Sequence, residues 1–332
     1  MRIGLAGVGR IGGGHAETLR GIAEVEEVVV ADADAGRARE VARKLGVRAA
    51  AGVDALFAAG LDGLVVATPT AAHAGLVIRA VEAGLPVFVE KPVATDLDGT
   101  IQVLTAVRGS GVPVQVGFQR RFDPGHRAAR EAVRSGRLGW VHTVRSCTLD
   151  PVPPPEEYLP TSGGLFRDCS VHDFDAVRFV TGRDVVEVTA AGADRGAAVF
   201  AESGDASAAS AVLTLDDGTL AVVSASRYNA AGYDVRLEVL GSRDSVVVGL
   251  DDRTPLSPAG PGTRPAGPPH TGFLERFAEA YTAELRAFTG MVAEGAASPC
   301  PPEESLEAFY VAEACETSRR ERRAVAIEEV RR

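Results

Sequence analysis

The sequence lacks the features that mark proteins binding nucleic acids or spanning membranes. Its 35 Lys and Arg residues are outnumbered by 45 Asp and Glu residues, giving a formal net charge of −10 over 332 residues, whereas a nucleic-acid partner requires a basic face. No apolar run approaches the roughly 18 residues that a membrane-spanning helix needs. The apolar N-terminal segment also lacks the layout of a signal peptide and predicts a first strand. We therefore expect a protein that acts on a small molecule, with no nucleic-acid or membrane partner.

Cysteine is scarce as well. The four cysteines form no C-x-x-C pair, and no histidine is spaced with them as a metal-ligand set. We interpret them as reduced thiols of a cytoplasmic protein and expect no metal site. Glycine and apolar residues are plentiful, with 37 glycines and 45% hydrophobic residues, so a full core is available. The length is enough for about two domains.

A glycine-rich stretch near the N-terminus, RIGLAGVGRIGGG at residues 2–14, predicts a strand, a tight turn and a helix. In the G-x-G-x-x-G pattern the first glycine permits the turn, the second lets a pyrophosphate approach the backbone, and the third lets helix and strand pack closely. The helix N-terminus then offers free N–H groups to the phosphates. Five residues are predicted to bind a dinucleotide here: Gly7, Gly9, Arg10, Ile11 and Gly12.

A second buried strand, within EEVVVADAD at residues 26–34, ends in an acidic residue, Asp32. A carboxylate at this place accepts hydrogen bonds from the adenosine ribose hydroxyls and repels the 2′-phosphate of NADP. Asp32 therefore predicts NAD as the cofactor. Two alternatives stay open: Asp34 takes this role, or Asp32 is a plain loop residue after a strand.

Strand and helix patterns continue to alternate as far as residue 118. This alternation predicts a doubly wound parallel sheet, a Rossmann NAD-binding domain over residues 1–118. Ligands of such sheets lie at the carboxyl ends of the strands. Four residues fall at those ends and are predicted to contact the cofactor: Thr68, Pro69, Glu90 and Lys91.

Lys91 ends the strand in VFVEKP, residues 87–92, directly before a proline. The residue before a proline is restricted to extended geometry, so we expect Lys91 to be held at the rim of the cofactor cleft. An ammonium group there could hold a substrate hydroxyl and stabilise the developing carbonyl oxygen. The alternative is a surface lysine that merely ends a strand.

The pattern changes after residue 118. Residues 119–332 contain strand-like runs, a turn at Asp217–Gly218, and helices near the C-terminus, which predicts an α+β domain with a large, open, mostly antiparallel sheet. We assign this domain to substrate binding and oligomerisation, with the last helix packing back on the first domain. Residues 253–272 are rich in Pro and Gly and predict a long loop whose role stays open.

Residues 163–182, GGLFRDCSVHDFDAVRFVTG, predict an amphipathic helix that carries ionisable groups. Asp168 and His172 are four residues apart and hence neighbours on a helix, and Asp175 falls on the same side. A carboxylate beside an imidazole raises its basicity and fixes its orientation, which suits a general base. The alternative is a solvent-exposed helix face without a catalytic role.

Several of these segments together resemble the Gfo/Idh/MocA oxidoreductases, and among them the bacterial inositol dehydrogenases. The resemblance covers nearly the whole chain. It rests on GVGRIGGGHAETL, TPTAAHAGL, VEKP, GFQRRFDP and DCSVHDFD. The glycine motif is generic and Glu-Lys-Pro after a strand is more specific. The combination of GFQRRFD with Asp-x-x-x-His-Asp indicates the inositol branch.

The resemblance implies a catalytic set of Lys91, Asp168 and His172, with substrate contacts from these residues, Arg120 and Tyr233. It also implies NAD-dependent oxidation of a cyclic polyol, with myo-inositol giving 2-keto-myo-inositol, and a homo-oligomer. The family is usually tetrameric or dimeric, and we expect a tetramer. In this hypothesis His172 takes the hydroxyl proton, Asp168 orients His172, and Lys91 fixes the substrate oxygen. No metal takes part.

Two departures from the inositol branch keep the substrate open. The first strand of the second domain leads into SCTLDPVPPP at residues 146–155, where a polar His-Arg-Asn stretch is common, and Ala230–Ala231 stand where bulkier residues are common. The same chemistry on another cyclitol, an aminocyclitol or a pyranose sugar is therefore an alternative. A non-enzymatic NAD-binding sensor is the other, although a sensor has no need of all three catalytic residues.

Overall fold

The computed structural model describes residues 1–262 and 267–331. It divides into two compact units, of which unit 1 comprises Met1–Gln119 with Glu279–Leu306, and unit 2 comprises Arg120–Ala278 with the segment from Glu307 onward. Part of the Pro/Gly-rich stretch at 253–272, namely residues 263–266, lies outside the described residues.

Unit 1 is built on six parallel strands in the order β3-β2-β1-β4-β5-β6. The central strands are runs of small and β-branched apolar residues, which suits a parallel sheet covered on both faces. The strands are β1 (Arg2–Ala6), β2 (Glu27–Ala31), β3 (Arg48–Ala49), β4 (Gly63–Val66), β5 (Val87–Glu90) and β6 (Val114–Gly117). The predicted doubly wound parallel sheet is confirmed.

Five helices alternate with these strands: α1 (Arg10–Arg20), α2 (Ala35–Leu45), α3 (Val53–Phe57), α4 (His73–Glu82) and α5 (Leu97–Ser110). Their ends follow local chemistry. Asp96 accepts a hydrogen bond from the main-chain N–H of Gly99 at the start of α5. Gly46 ends α2 in a left-handed conformation that glycine adopts without strain.

Unit 2 is built on seven strands in the order β12-β11-β7-β10-β9-β8-β13, in which β7 and β10 run parallel and the other neighbours antiparallel. Buried and more exposed residues alternate along β9 and β10, so one sheet face packs on the core and the other is open. The strands are β7 (Val141–Leu149), β8 (Val185–Ala193), β9 (Ala208–Leu215), β10 (Leu220–Ser226), β11 (Asp234–Gly241), β12 (Ser245–Val248) and β13 (Val325–Ala326). The predicted open, mostly antiparallel sheet is confirmed.

The remaining helices are α6 (Pro124–Arg134), α7 (Val171–Thr181), α8 (Ala198–Glu202), α9 (Phe273–Arg276), α10 (Ala278–Glu294) and α11 (Pro302–Glu321). From Glu279 on, α10 belongs to unit 1, where Leu285 and Phe288 join the core that contains Ile3 and Phe88. Within the described ranges, no helix is both long and apolar enough to cross a membrane.

Candidate active site

The glycine-rich turn between β1 and α1 has the geometry of a phosphate cradle. Gly7 has a φ of +89°, and a Cβ there would lie 2.6 Å from the main-chain oxygen of Ala67. A Cβ on Gly12 would lie 1.9 Å from the oxygen of Gly7, so both positions require glycine. A Cβ on Gly9 would meet no atom within 4 Å. The open space at Gly9, where α1 begins without a side-chain cap, fits a pyrophosphate on the helix N-terminus.

The carboxylate of Asp32 is fixed just beyond the end of β2. Its Oδ2 accepts a hydrogen bond from the Val8 main-chain N–H at 2.9 Å, and its Oδ1 accepts one from the Asp34 N–H at 2.9 Å. The side chain of Asp34 instead caps α2 by accepting the N–H groups of Gly36 and Arg37, which lower the pKa of Asp34. Asp32 thus contacts the glycine-rich turn through Val8, whereas Asp34 caps α2; which of them meets a ribose stays a prediction.

The loops that follow β4 and β5 are joined by His73, a residue that our sequence reasoning did not single out. Its Nε2 lies 2.7 Å from the main-chain oxygen of Thr68, and its Nδ1 lies 2.8 Å from that of Pro92. His73 is buried, and the Lys91–Pro92 peptide bond is cis. The signal was present in the sequence, since this histidine lies within TPTAAHAGL.

Glu90 is placed differently from the other residues at the strand ends. Its side chain is buried, and its Oε1 lies 2.7 Å from Nε2 of His15 on α1. The carboxylate therefore faces the interior of unit 1. A cofactor contact from Glu90, like those of Arg10, Ile11 and Pro69, stays a prediction.

In unit 2, Asp168 lies in a π-helical turn, Phe166–Ser170, that runs directly into α7. Its Oδ1 accepts a hydrogen bond from the Tyr158 hydroxyl at 3.0 Å, and its Oδ2 accepts one from Nη2 of Arg227 at 2.8 Å. Burial and the neighbouring Asp168 raise the pKa of Tyr158, which keeps the phenol a donor. His172 follows four residues later in the same helical segment. Sequence reasoning missed both Tyr158 and Arg227.

The other acidic residues of α7 form buried ion pairs. Asp173 accepts a hydrogen bond from Nη1 of Arg120 at 2.8 Å, and the other terminal nitrogen of Arg120 donates to Thr148 at 2.7 Å. Asp175 accepts from Nε and Nη2 of Arg121, the latter at 2.6 Å. Asp175 is therefore buried in an ion pair with Arg121 and does not lie on a solvent-exposed helix face. The substrate contact expected from Arg120 stays a prediction, although both of its terminal nitrogens donate hydrogen bonds to buried side chains of unit 2.

Tyr233 directly precedes β11 and is buried. Its main-chain N–H donates to the oxygen of His270 at 3.2 Å, and burial raises the pKa of its phenol. A small polar cavity beside it is lined by residues that include Asp251, Arg253 and Arg276. Tyr233 thus stands as a neutral phenol, and its role toward a substrate stays a prediction.

Comparison with known proteins agrees with this geometry. The family profile described as "Oxidoreductase family, NAD-binding Rossmann fold" matches residues 1–118, and the one described as "GFO/IDH/MocA C-terminal domain" matches residues 126–247. The chain belongs to the Gfo/Idh/MocA oxidoreductase family. It is a dehydrogenase acting on CH–OH groups with NAD, as the sequence predicted.

Individual members of the family are similar over almost the full length. Myo-inositol dehydrogenase Hyg17 of Streptomyces leeuwenhoekii is 42% identical over 300 residues, which is 90% of each chain. Inositol 2-dehydrogenase of Rhizobium meliloti is 38% identical over 98% of this chain and 99% of its own. The crystal structure of scyllo-inositol dehydrogenase from Lactobacillus casei with bound NAD(H) and scyllo-inositol is 26% identical, covers 99% of both chains and has a TM-score of 0.88.

Proposed function

We propose that this enzyme oxidises a ring hydroxyl of a cyclic polyol, and that its substrate is myo-inositol, which it converts to 2-keto-myo-inositol. Two relatives that span at least nine-tenths of the chain are named as inositol dehydrogenases. The fold of unit 1 and the glycine-rich turn supply the nucleotide site that such a reaction needs. When bound, NAD⁺ supplies the acceptor for the hydride.

The residues of unit 1 hold the nucleotide in this proposal. The turn from Gly7 to Gly12 takes the pyrophosphate, because its backbone is open at Gly9 and its glycines exclude side chains. Asp32 takes the adenosine ribose and disfavours a 2′-phosphate. Thr68 and Lys91 lie after β4 and β5, at the carboxyl edge where ligands of such sheets bind.

His172 acts as the base that removes the hydroxyl proton, and Lys91 binds the substrate oxygen as the carbonyl forms. Asp168 orients His172 and stabilises its positive charge. The observation that carries this proposal is the fixed position of Asp168, which Tyr158 and Arg227 hold in the same helical segment that contains His172. A carboxylate held in this way keeps its orientation through the proton transfer.

Replacing His172 by Ala tests the base. We expect kcat to fall by about 10²- to 10⁴-fold, the usual contribution of a general base, while NAD⁺ binding measured by calorimetry is unchanged. The matched control is His142→Ala, an exposed histidine on β7 of the same unit. If His172→Ala retains near-normal turnover, the base is another group.

A substrate panel tests the polyol. NADH formation is followed with myo-inositol, scyllo-inositol, an aminocyclitol and glucose, and we expect the highest kcat/KM with myo-inositol. A preference for a sugar or an aminocyclitol would show that myo-inositol is not the substrate. The proposed oxidation of a ring hydroxyl would still stand. NAD⁺ binding with no turnover on any member of the panel would reject a cyclic polyol as the substrate.

We further propose that the protein is a cytoplasmic homotetramer. On the open face of the unit 2 sheet, Val212 and Val222 are cross-strand neighbours on β9 and β10, and both are more than one-third exposed, as is Leu220. A second copy would bury these side chains. None of the four cysteines is in a disulfide, as is usual in a reducing compartment. Light scattering of the purified enzyme measures the number of subunits.

A further inference from the structure

A buried group of three ionisable side chains lies inside unit 1, below the carboxyl edge of its sheet. His15 comes from α1, Glu90 from the end of β5 and Glu284 from α10, and one nitrogen or oxygen atom of each lies within 4.8 Å of the others. All three are buried, and Glu284 is fully so. The ring of Tyr281, one turn earlier on α10, lies 5.9 Å from the ring of His15. No role in the reaction proposed above uses this cluster.

Glu284 is the unusual member. Neither of its carboxyl oxygens has a hydrogen-bond partner among the described residues, although the side-chain amide of Gln115 on β6 donates to its main-chain oxygen. Burial, and then the charge of Glu90, raise the pKa of Glu284 well above its ordinary value. Two carboxylates this close in a dry interior cannot both be charged at low cost. Burial and the neighbouring Glu90 therefore favour the protonated form of Glu284.

The distance between His15 and Glu90 fits a direct hydrogen bond in this cluster better than two ligands of one metal ion. Nε2 of His15 and Oε1 of Glu90 are 2.7 Å apart, which is the length of a hydrogen bond. Two ligands of one tetrahedral zinc ion would stand about 3.3 Å apart. The hydrogen bond connects the helix that begins at the glycine-rich turn with the strand that ends next to Lys91.

We propose that Glu284 is a positioning residue: as a neutral carboxylic acid it preserves the His15–Glu90 hydrogen bond, which holds the end of β5 and Lys91 in register with α1. The proposal rests on the function proposed for Lys91 and for the glycine-rich turn. When Glu284 loses its proton, a second negative charge appears beside Glu90, and the link between cofactor helix and catalytic strand weakens. NAD⁺ binding should then weaken as the pH rises through the raised pKa of Glu284.

The free energy of unfolding should also depend on pH through the titration of Glu284. A carboxyl with a raised folded-state pKa binds its proton more tightly in the folded than in the unfolded chain. The cost of burying it is therefore absent well below pH 4.5, its ordinary pKa, and grows as the pH rises toward the folded value. Glu284→Gln mimics the neutral acid, so it should match the wild type in acid and become the more stable protein as the pH rises.

The experiment compares wild type, Glu284→Gln and the control Glu279→Gln, an exposed residue of the same helix. Titration calorimetry gives the Kd of NAD⁺ from acid to alkaline pH, and scanning calorimetry gives the Tm. We expect equal Kd values in the three proteins below the titration of Glu284. Above it, the Kd should rise by up to about tenfold per pH unit in wild type and Glu279→Gln, since only the protonated form binds well. Glu284→Gln should lack this rise.

An alkaline rise of the same size in Glu284→Gln would overturn the proposal, as would a Tm difference that does not widen with pH. One stoichiometric metal ion in the purified protein would overturn it too, because the cluster would then be a metal centre. His15, Glu90, Tyr281 and Lys91 are common to all three proteins, so the difference between variants isolates Glu284. These readouts need no polyol, and they remain decisive even if the proposed substrate is wrong.

Discussion

The Arg120–Asp173 pair offers a direct test of what a buried charge contributes to unit 2. Asp173 is fully buried on α7, where its Oδ1 accepts hydrogen bonds from Arg120 at 2.8 Å and from the Ser146 hydroxyl at 2.5 Å. Its Oδ2 accepts the Thr148 hydroxyl at 2.7 Å. Replacing Asp173 by Asn keeps the shape of the side chain and removes its charge. It also turns one acceptor into a donor that faces other donors.

The size of the stability loss expected for Asp173→Asn follows from the burial of the Arg120–Asp173 pair. Removing one partner of a buried pair leaves the other charge uncompensated and costs about 3–5 kcal/mol. The control is Glu131→Gln on α6, whose carboxylate lies 2.8 Å from Arg134 with both side chains more than half exposed. At the same N–O distance, an exposed pair contributes only about 0–1 kcal/mol. Because the two ion pairs have the same N–O distance and differ in exposure, a difference in stability loss between the variants reports the effect of burial.

Urea unfolding followed by circular dichroism, together with scanning calorimetry, measures both variants. We expect Asp173→Asn to lower the melting temperature of unit 2 by on the order of 10 °C, and Glu131→Gln to leave it nearly unchanged. A loss in Asp173→Asn no larger than in the control would refute the reasoning. Arg120 would then not depend on Asp173, and its guanidinium would be available to a ligand.

Two further predictions concern the proposed reaction. Asp32→Ser should raise the KM for NAD⁺ by about tenfold and lower the NAD⁺/NADP⁺ ratio of kcat/KM, because the carboxylate that repels a 2′-phosphate is gone and Arg37 stands nearby; unchanged cofactor preference would contradict the assignment. Tyr158→Phe should lower kcat by about tenfold and leave the KM for NAD⁺ unchanged, since Asp168 loses one of the two donors that hold it; normal kcat would show that Arg227 suffices.

The fold was largely readable from the sequence because its signals are local. Buried runs of β-branched residues, glycines at turns and helical periodicity identify the strands and helices that carry most of each core. The elements that escaped prediction are short: β3 and β13 have two residues each, and α3 and α8 have five. Segments of this length are too short to show a hydrophobic periodicity, and their structure depends on the neighbouring elements on which they pack.

The candidate site was only partly readable. The special backbone positions of Gly7 and Gly12 and the place of Asp32 after β2 depend on local geometry, so the sequence could predict them. The partners of Asp168 could not be predicted, because Tyr158 precedes it by 10 residues and Arg227 follows by 59 in a different element. The buried ion pair of Asp175 could not be predicted either, because its partner Arg121 is 54 residues away.

The two arginines of GFQRRFDP and the last two of the three aspartates of DCSVHDFD explain why these segments occur together. Arg120 pairs with Asp173 and Arg121 with Asp175, so two consecutive residues of one segment hold two positions of α7. His172 immediately precedes Asp173. The two ion pairs therefore fix the position of His172 without any contact to a substrate. It follows that Asp173→Asn should impair turnover as well as stability, through the position of His172 and not through a lost substrate contact.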